Sequence, residues 1–134
     1  MKKIWAVLIA LSLTACAAPV TKDDIAKANF GASPTDALST RKIQIYLENS
    51  LIDPGSLRLR CADAKKGWAK ANILDKPSFG YVVLCGVNAK NRLGGYTGEE
   101  AFIFLFNNDK IIVATNKTIA GGELKRGTEY SYVD

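Results

Sequence analysis

Few side chains in this sequence can do chemistry, and their types narrow it at once. The chain has 3 cysteines, Cys16, Cys61 and Cys85, and 0 histidines. Lacking imidazole, it lacks the usual general base, the proton shuttle and the commonest metal ligand. Cys61 and Cys85 cannot make a four-ligand zinc site by themselves, so no metal and no cofactor is expected. The carboxylates do not compensate, because Glu99 and Glu100 would point to opposite faces of a strand and Asp23 and Asp24 fall near the N-terminus. This disfavours a hydrolase acting on peptidoglycan, and the chain reads as non-enzymatic. Polar residues do cluster in Asn88-Ala89-Lys90-Asn91-Arg92-Leu93-Gly94-Gly95-Tyr96-Thr97-Gly98. Glycine at 94, 95 and 98, beside Asn88 and Asn91, implies positive φ or very close backbone approach. One reading is an elaborate hairpin loop whose asparagines bond the main chain. The other is a recognition surface made of Lys90, Asn91, Arg92, Tyr96 and Thr97 on rigid strands. A phosphate cradle would need a helix N-terminus behind the loop, and no helix is expected there.

Cys16 belongs to a different chemistry. Lys2 and Lys3 precede an apolar run from Ile4 to Leu13, which ends in Leu13-Thr14-Ala15-Cys16. A basic start, a short apolar stretch and small residues before a cut site make a secretory signal. The cysteine directly after Ala15 resembles the lipobox of bacterial lipoproteins, which implies that Cys16 becomes a diacylglycerol-modified N-terminus. Several acyl chains then hold the product in a bilayer where one would bind marginally. Ten residues at about 1.5 Å each reach only half of a roughly 30 Å hydrocarbon core, so the run does not read as a membrane span. Ala17, following the lipidated position, favours the outer membrane of a Gram-negative cell, with the protein facing the periplasm.

Removal of the first 15 of 134 residues leaves 119, enough for one core, and the loss of Lys2 and Lys3 lowers the formal charge from +5 to +3. The remaining basic residues are interleaved with acids, which is no nucleic-acid stripe. The expected organisation is a leader over 1–15, a lipid-anchored tether over 16–33 and one α+β domain over 34–134. Within the tether, Thr21 and Asp24 could form a capping box around one helical turn, with Gly31 to end it.

Ser33 as N-cap and Pro34 at the first position start the main helix, which should run over 34–51. Ile43, Tyr46, Leu47 and Leu51 share a face, whereas Leu38 and Ile45 lie nearly opposite. Asp53-Pro54-Gly55-Ser56 stops that helix. Leu57, Leu59 and Cys61 then alternate with Arg58 and Arg60 as a half-buried strand. The polar stretch 62–78 reads as a loop in which Trp68 folds back on the sheet. Residues 79–89 are the strongest strand, and 99–106 and 110–114 form a hairpin about Asn107-Asn108-Asp109. The first two of these are apolar on both sides, so one face should meet the helix and the other the C-terminal segment or a partner. Tyr130 and Tyr132 could add an edge strand. The fold expected is one N-terminal helix on an antiparallel sheet of three to five strands. Cys61 and Cys85 share the buried phase of neighbouring strands, and an exported compartment favours a disulfide between them.

Phe30-Gly31 and Pro34 before a helix, Tyr46-Leu47 within it, Asp53-Pro54-x-Ser56 after it, Lys66-Gly67-Trp68, and Val87-Asn88-Ala89-Lys90-Asn91 with Gly94-Gly95-Tyr96-Thr97-Gly98 resemble a family of small, largely uncharacterised bacterial exported domains and lipoproteins. Gly55 and Leu93 depart from its usual acid and aromatic. The resemblance supplies no catalytic residue. The function expected is a lipid-anchored, non-enzymatic interaction or assembly module, with the membrane held through Cys16 and an envelope protein as partner. The alternative is an inhibitor of a cell-wall hydrolase such as lysozyme, with 88–98 as the inserting loop.

Overall fold

A computed structural model describes residues 18–72, 74–117, 119–120, 123–124 and 129–134. Its elements, in chain order, are α1 (Lys22–Lys27), α2 (Asp36–Glu48), a 3-10 turn (Pro54–Ser56), β1 (Arg58–Cys61), β2 (Lys65–Lys70), β3 (Ser78–Asn88), β4 (Glu100–Asn107), β5 (Lys110–Lys117), β6 (Ile119–Ala120), β7 (Glu123–Leu124) and β8 (Glu129–Tyr132). The α+β class stands, with a larger sheet than expected. It has six antiparallel strands in the order β5-β4-β3-β2-β8, and β1 also pairs with β3, while β6 and β7 pair only with each other. The helix is not simply N-terminal either, since the short α1 precedes it.

The apolar run that becomes β3 organises the sheet. One edge of β3 pairs with β4 from Tyr81↔Phe106 to Val87↔Glu100. The other edge is shared, with β2 along Ser78 to Val82 and β1 along Cys85 to Asn88. Cys61 faces Cys85 and Lys65 faces Val82, so 62–64 place three residues opposite two, and Ala62 still donates its N–H to the Leu84 carbonyl. The extra residue reverses the side-chain alternation. Leu59 and Cys61 therefore lie on the same face as Val83 and Cys85, whereas Gly67 and Ala69 lie on the opposite face with Gly80 and Val82. This break is why β2 was expected to be loop. Its lysines and glycine have no apolar alternation in phase with the strand before it, and Trp68 lies within the strand instead of folding back from a loop.

Each face of the central strands has its own core. On one, Ile43 and Leu47 of α2 pack against Val83, Cys85, Val87, Phe104 and Phe106. On the other, Val82, Ile103 and Leu105 gather with Ala69, and Tyr130 of β8 packs against them. Seven side chains, Phe104, Phe106, Ile43, Ile103, Leu105, Val82 and Val83, are fully buried. At about 1.5–3 kcal/mol apiece, such burial dominates the folding energy.

The main helix is shorter than 34–51 at both ends. Thr35, not Ser33, is its N-cap: Thr35 is extended and its hydroxyl accepts from the Leu38 N–H at 3.3 Å, while the Ser33 hydroxyl donates to the Pro34 carbonyl. At the other end the Ser50 hydroxyl donates to the Tyr46 carbonyl and helps to close the helix before Leu51. The face read from the sequence holds for Ile43 and Leu47, which are buried, and Ile45 opposite them is exposed, but Tyr46 of the same stripe is exposed as well. The capping box of α1 forms as expected, though the helix ends at Ala28 and not at Gly31. Hydrogen bonds from Thr21 hold the Asp24 carboxyl below its ordinary pKa.

Cys61 and Cys85 are bonded, with Cα atoms 4.1 Å apart and directly opposite across β1 and β3. Closing a loop of this length restricts the unfolded chain by about 3 kcal/mol. Replacing both cysteines with serine should lower stability by about that amount in chemical denaturation. Thiol trapping of the native protein without reductant should leave both cysteines unlabelled, and labelling of either would show that the strands are not bonded as described.

Candidate functional site

The stretch 88–98, singled out by its composition, joins β3 to β4 and is fastened at several points. Asn91 organises the turn: its Oδ1 accepts from the N–H groups of Leu93 and Gly95 at 2.9 and 3.2 Å. Its backbone completes the turn, with Asn91 N–H donating to the Gly95 carbonyl and Gly94 N–H to the Asn91 carbonyl. Lys90 and Tyr96 form an isolated antiparallel bridge. Ser56 then ties the base of the loop to the 3-10 turn. Its hydroxyl accepts from the Lys90 N–H at 2.9 Å and donates to Asp53, and its carbonyl accepts from the Tyr96 hydroxyl at 3.0 Å. The Arg58 guanidinium lies 4.0 Å from the centre of the Tyr96 ring and Lys90 Nζ lies 5.7 Å from it, so two cations add to the hold on one aromatic.

The loop is therefore a built hairpin, in which Asn91 bonds the main chain as the asparagine reading expects and Asn88 does not. Gly94 and Gly98 have φ of +79° and +111°. Gly95 does not, and a Cβ there would meet only Asn91 Oδ1 at 3.9 Å, so the conformational demand falls on two of the three glycines. At the tip Arg92 is exposed and Leu93 is 94% exposed. Tyr96 is 37% exposed, with its hydroxyl committed to Ser56. Asn88 Oδ1 is enclosed without a hydrogen-bond partner among the described residues.

Beside this hairpin lies a cleft of about 500 Å³. Its apolar surface comes from Leu47 and Leu51 at the end of α2 and from Val87, Phe102 and Ala114 on the sheet. Ala89, Lys90, Asn91, Thr97 and Gly98 supply the loop side, and Tyr46, Ser50, Ile52, Glu100 and Thr115 complete the lining. Thus Lys90, Asn91, Thr97 and Gly98 do converge on one concavity, whereas Arg92 and Leu93 project at the hairpin tip. Reading the sequence missed Ser56, Glu100 and the end of α2. Glu100 carried a signal, being the one charged residue in phase with Phe102, Phe104 and Phe106. Ser56 stood in the Asp53-Pro54-x-Ser56 motif, where its turn role concealed its contact with the distant loop.

Opposite the cleft, Gly86 leaves room for an ion pair. Arg60 Nη2 meets Glu99 Oε1 at 2.7 Å, and a Cβ on Gly86 would strike the Glu99 carboxylate. Glu99 and Glu100 are thereby on opposite faces of the sheet, as their spacing required. Among the described residues no group of three or more His, Cys, Asp or Glu is placed to hold a metal ion. Cys16 lies outside the described residues. Compared with known proteins, the chain matches no protein-family model, no curated protein and no solved structure.

The backbone angles rank the glycines. Gly94→Ala should cost about 1 kcal/mol, because a Cβ is introduced at positive φ although space is open around it. Gly95→Ala should change stability by less than about 0.5 kcal/mol. Paired thermal melts measure both, and a Gly95 variant less stable than the Gly94 variant would contradict this account of the turn.

Proposed function

We propose that this chain is a lipid-anchored protein of the bacterial envelope, held at the outer membrane through Cys16 and facing the periplasm. It acts without catalysis by binding a protein partner in the cleft beside residues 88–98. The observation that carries the reading is the construction of that cleft: an apolar surface from Leu47, Val87 and Phe102 bordered by polar groups on a hairpin fixed through Ser56 and Asn91. Pre-formed concavities of this composition are what ligands and partner side chains enter. Exposed apolar groups at its border, Tyr46 and Ile52, extend the contact area, which favours a protein segment over a small free solute. The lipobox-like Leu13-Thr14-Ala15-Cys16 supports the anchor, and the motif order from Phe30 onward supports kinship with exported bacterial domains.

A second reading has its own support. Leu93, 94% exposed at the tip of a turn braced by Asn91, is a protrusion suited to entering the groove of a cell-wall hydrolase such as lysozyme. In that case Leu93→Asp should abolish inhibition of the hydrolase while leaving the melt unchanged, and absence of inhibition by the parent protein would end this reading.

The main reading is tested in cells. Cys16→Ser should leave the precursor uncleaved and without acyl label, and continued acyl labelling would disprove the anchor. A photo-crosslinking residue at Thr97 should give one discrete adduct with an envelope protein. Ser50→Trp, which fills the cleft from an exposed position, should remove that adduct at unchanged thermal stability. An adduct that persists in a filled cleft would place the partner elsewhere.

A further inference from the structure

Lys70 is the most unusual charged residue of the fold. It ends β2 with a side chain only 3% exposed. Its Nζ lies 3.4 Å from Glu129 Oε2 of β8, donates to the backbone carbonyl of Ala18 at 3.3 Å, and sits 5.8 Å from the centre of the Trp68 ring. Ala18 is thus gripped by the sheet itself. The chain stays on the domain thereafter. The Phe30 ring packs edge-on to Phe79 at 5.7 Å with Lys66 over it, Asn107 donates to the Asn29 carbonyl at 2.8 Å, and the Ala32 N–H donates to Asn108.

These contacts set the distance between an anchor at Cys16 and the folded domain. Only Ala17 lies between Cys16 and Ala18, and an extended chain covers no more than about 7 Å over those two steps. Part of the domain must then lie against the headgroups. The turn that follows Lys70 meets the requirement, because Leu74 is 77% exposed and Lys76 is exposed two positions on, while the Asp75 carboxylate between them accepts from the Asn72 N–H and side-chain amide. An apolar side chain with a neighbouring cation suits an anionic lipid surface.

We propose that Leu74 and Lys76, in the turn leading into β3, form a bilayer-contacting surface, pressed onto phospholipid headgroups by the Lys70 grip on Ala18. The inference rests on the lipid anchor at Cys16 put forward above. It also orients the molecule. The turn leads into Ser78 at one end of β3, and the cleft is lined by Val87 near the other end. Nine residue steps of strand separate them by roughly 30 Å, which presents the cleft away from the membrane.

Trp68 reports on this arrangement, being the one tryptophan left when the leader bearing Trp5 is removed. The full-length protein, processed in cells and reconstituted into vesicles of phosphatidylethanolamine and phosphatidylglycerol containing a dansyl-headgroup lipid, should show strong energy transfer from Trp68. Inserting twelve Gly and Ser residues after Ala17 adds a coil of about 20 Å, and transfer should fall at least about threefold with the melt unchanged. Lys70→Met should lower transfer in the same direction, and Leu74→Asp should lower it without affecting the melt. Mass spectrometry of the N-terminal peptide reads the anchor separately. A peptide without acyl chains overturns the anchor and this inference together. An acylated protein whose Trp68 transfers weakly, or transfers equally with the insertion, overturns the inference alone.

Discussion

The whole fold depends on β3 having to bury both faces while carrying strands on both edges. A strand that is apolar on two sides is stable only between two layers. One layer is α2, through Ile43 and Leu47, and the opposite face gathers Ala69, Ile103 and Leu105 with Tyr130 packed against them. With β4 along one edge, the other edge must be filled along eleven residues, and neither β1 nor β2 is long enough to do it. Two short strands end to end are the solution, joined by a one-residue irregularity at 62–64. That irregularity decides which side chains meet which core. It puts Cys61 against Cys85 beneath α2, and it turns Trp68 and Lys70 to the face where the N-terminal segment runs. The disulfide fastens β1 immediately before the break, where a slip of register would do most harm.

The legible parts of the fold were those with an uninterrupted period. Residues 79–89 and 99–106 announced their strands because, apart from Asn88, Glu99 and Glu100, every position is apolar or small. The disulfide was legible because both cysteines fall on inward positions of neighbouring strands and the leader implied an oxidising compartment. β2 was not legible: Lys65, Lys66 and Lys70 look solvated, and it takes the register shift with partners from distant Glu129 and Ala18 to make a buried lysine tolerable there. The helix start was displaced because Ser33 and Thr35 both flank Pro34, and either could cap. Thr35 serves because its hydroxyl reaches the Leu38 amide, while Ser33 turns to the carbonyl of Pro34.

The site divides in a similar way. That residues 88–98 form a special hairpin was visible in Asn91 and the glycines, yet which glycine bears the strain was not, because composition carries no φ. Gly95 sits in the middle of the motif with ordinary geometry, whereas Gly94 and Gly98 take the left-handed angles. The cleft was invisible for a different reason. Its walls come from positions more than 60 residues apart in sequence, such as Ser50 and Thr115, and each is an ordinary amphipathic-helix or strand residue when read locally. What joins them is the end of α2 lying over the sheet beside the hairpin, a relation that no local pattern encodes.

A buried ammonium destabilises a fold unless its hydrogen-bonding capacity is met. Lys70 meets it with a carboxylate, a backbone carbonyl and an aromatic face, each from a different part of the sheet or its approach. A leucine at that position could fill the volume, but it would neither hold a carbonyl nor fix where Ala18 lies. The lysine thereby fixes an arrangement that an apolar residue of similar volume would leave open. It links β2, β8 and the chain entering the domain, so the position of the N-terminal segment is set by the same strand that carries the tryptophan and leads into the exposed Leu74 turn. The disulfide and the Ser56 contacts do the equivalent work at the far end of β3, fixing β1 and the hairpin beside the cleft. The two ends of the sheet are thus held by unrelated devices, a polar grip at one and a covalent bond with a hydroxyl tie at the other. A sheet pinned at both ends can keep a fixed distance between the point where the chain enters and the cleft beside the hairpin.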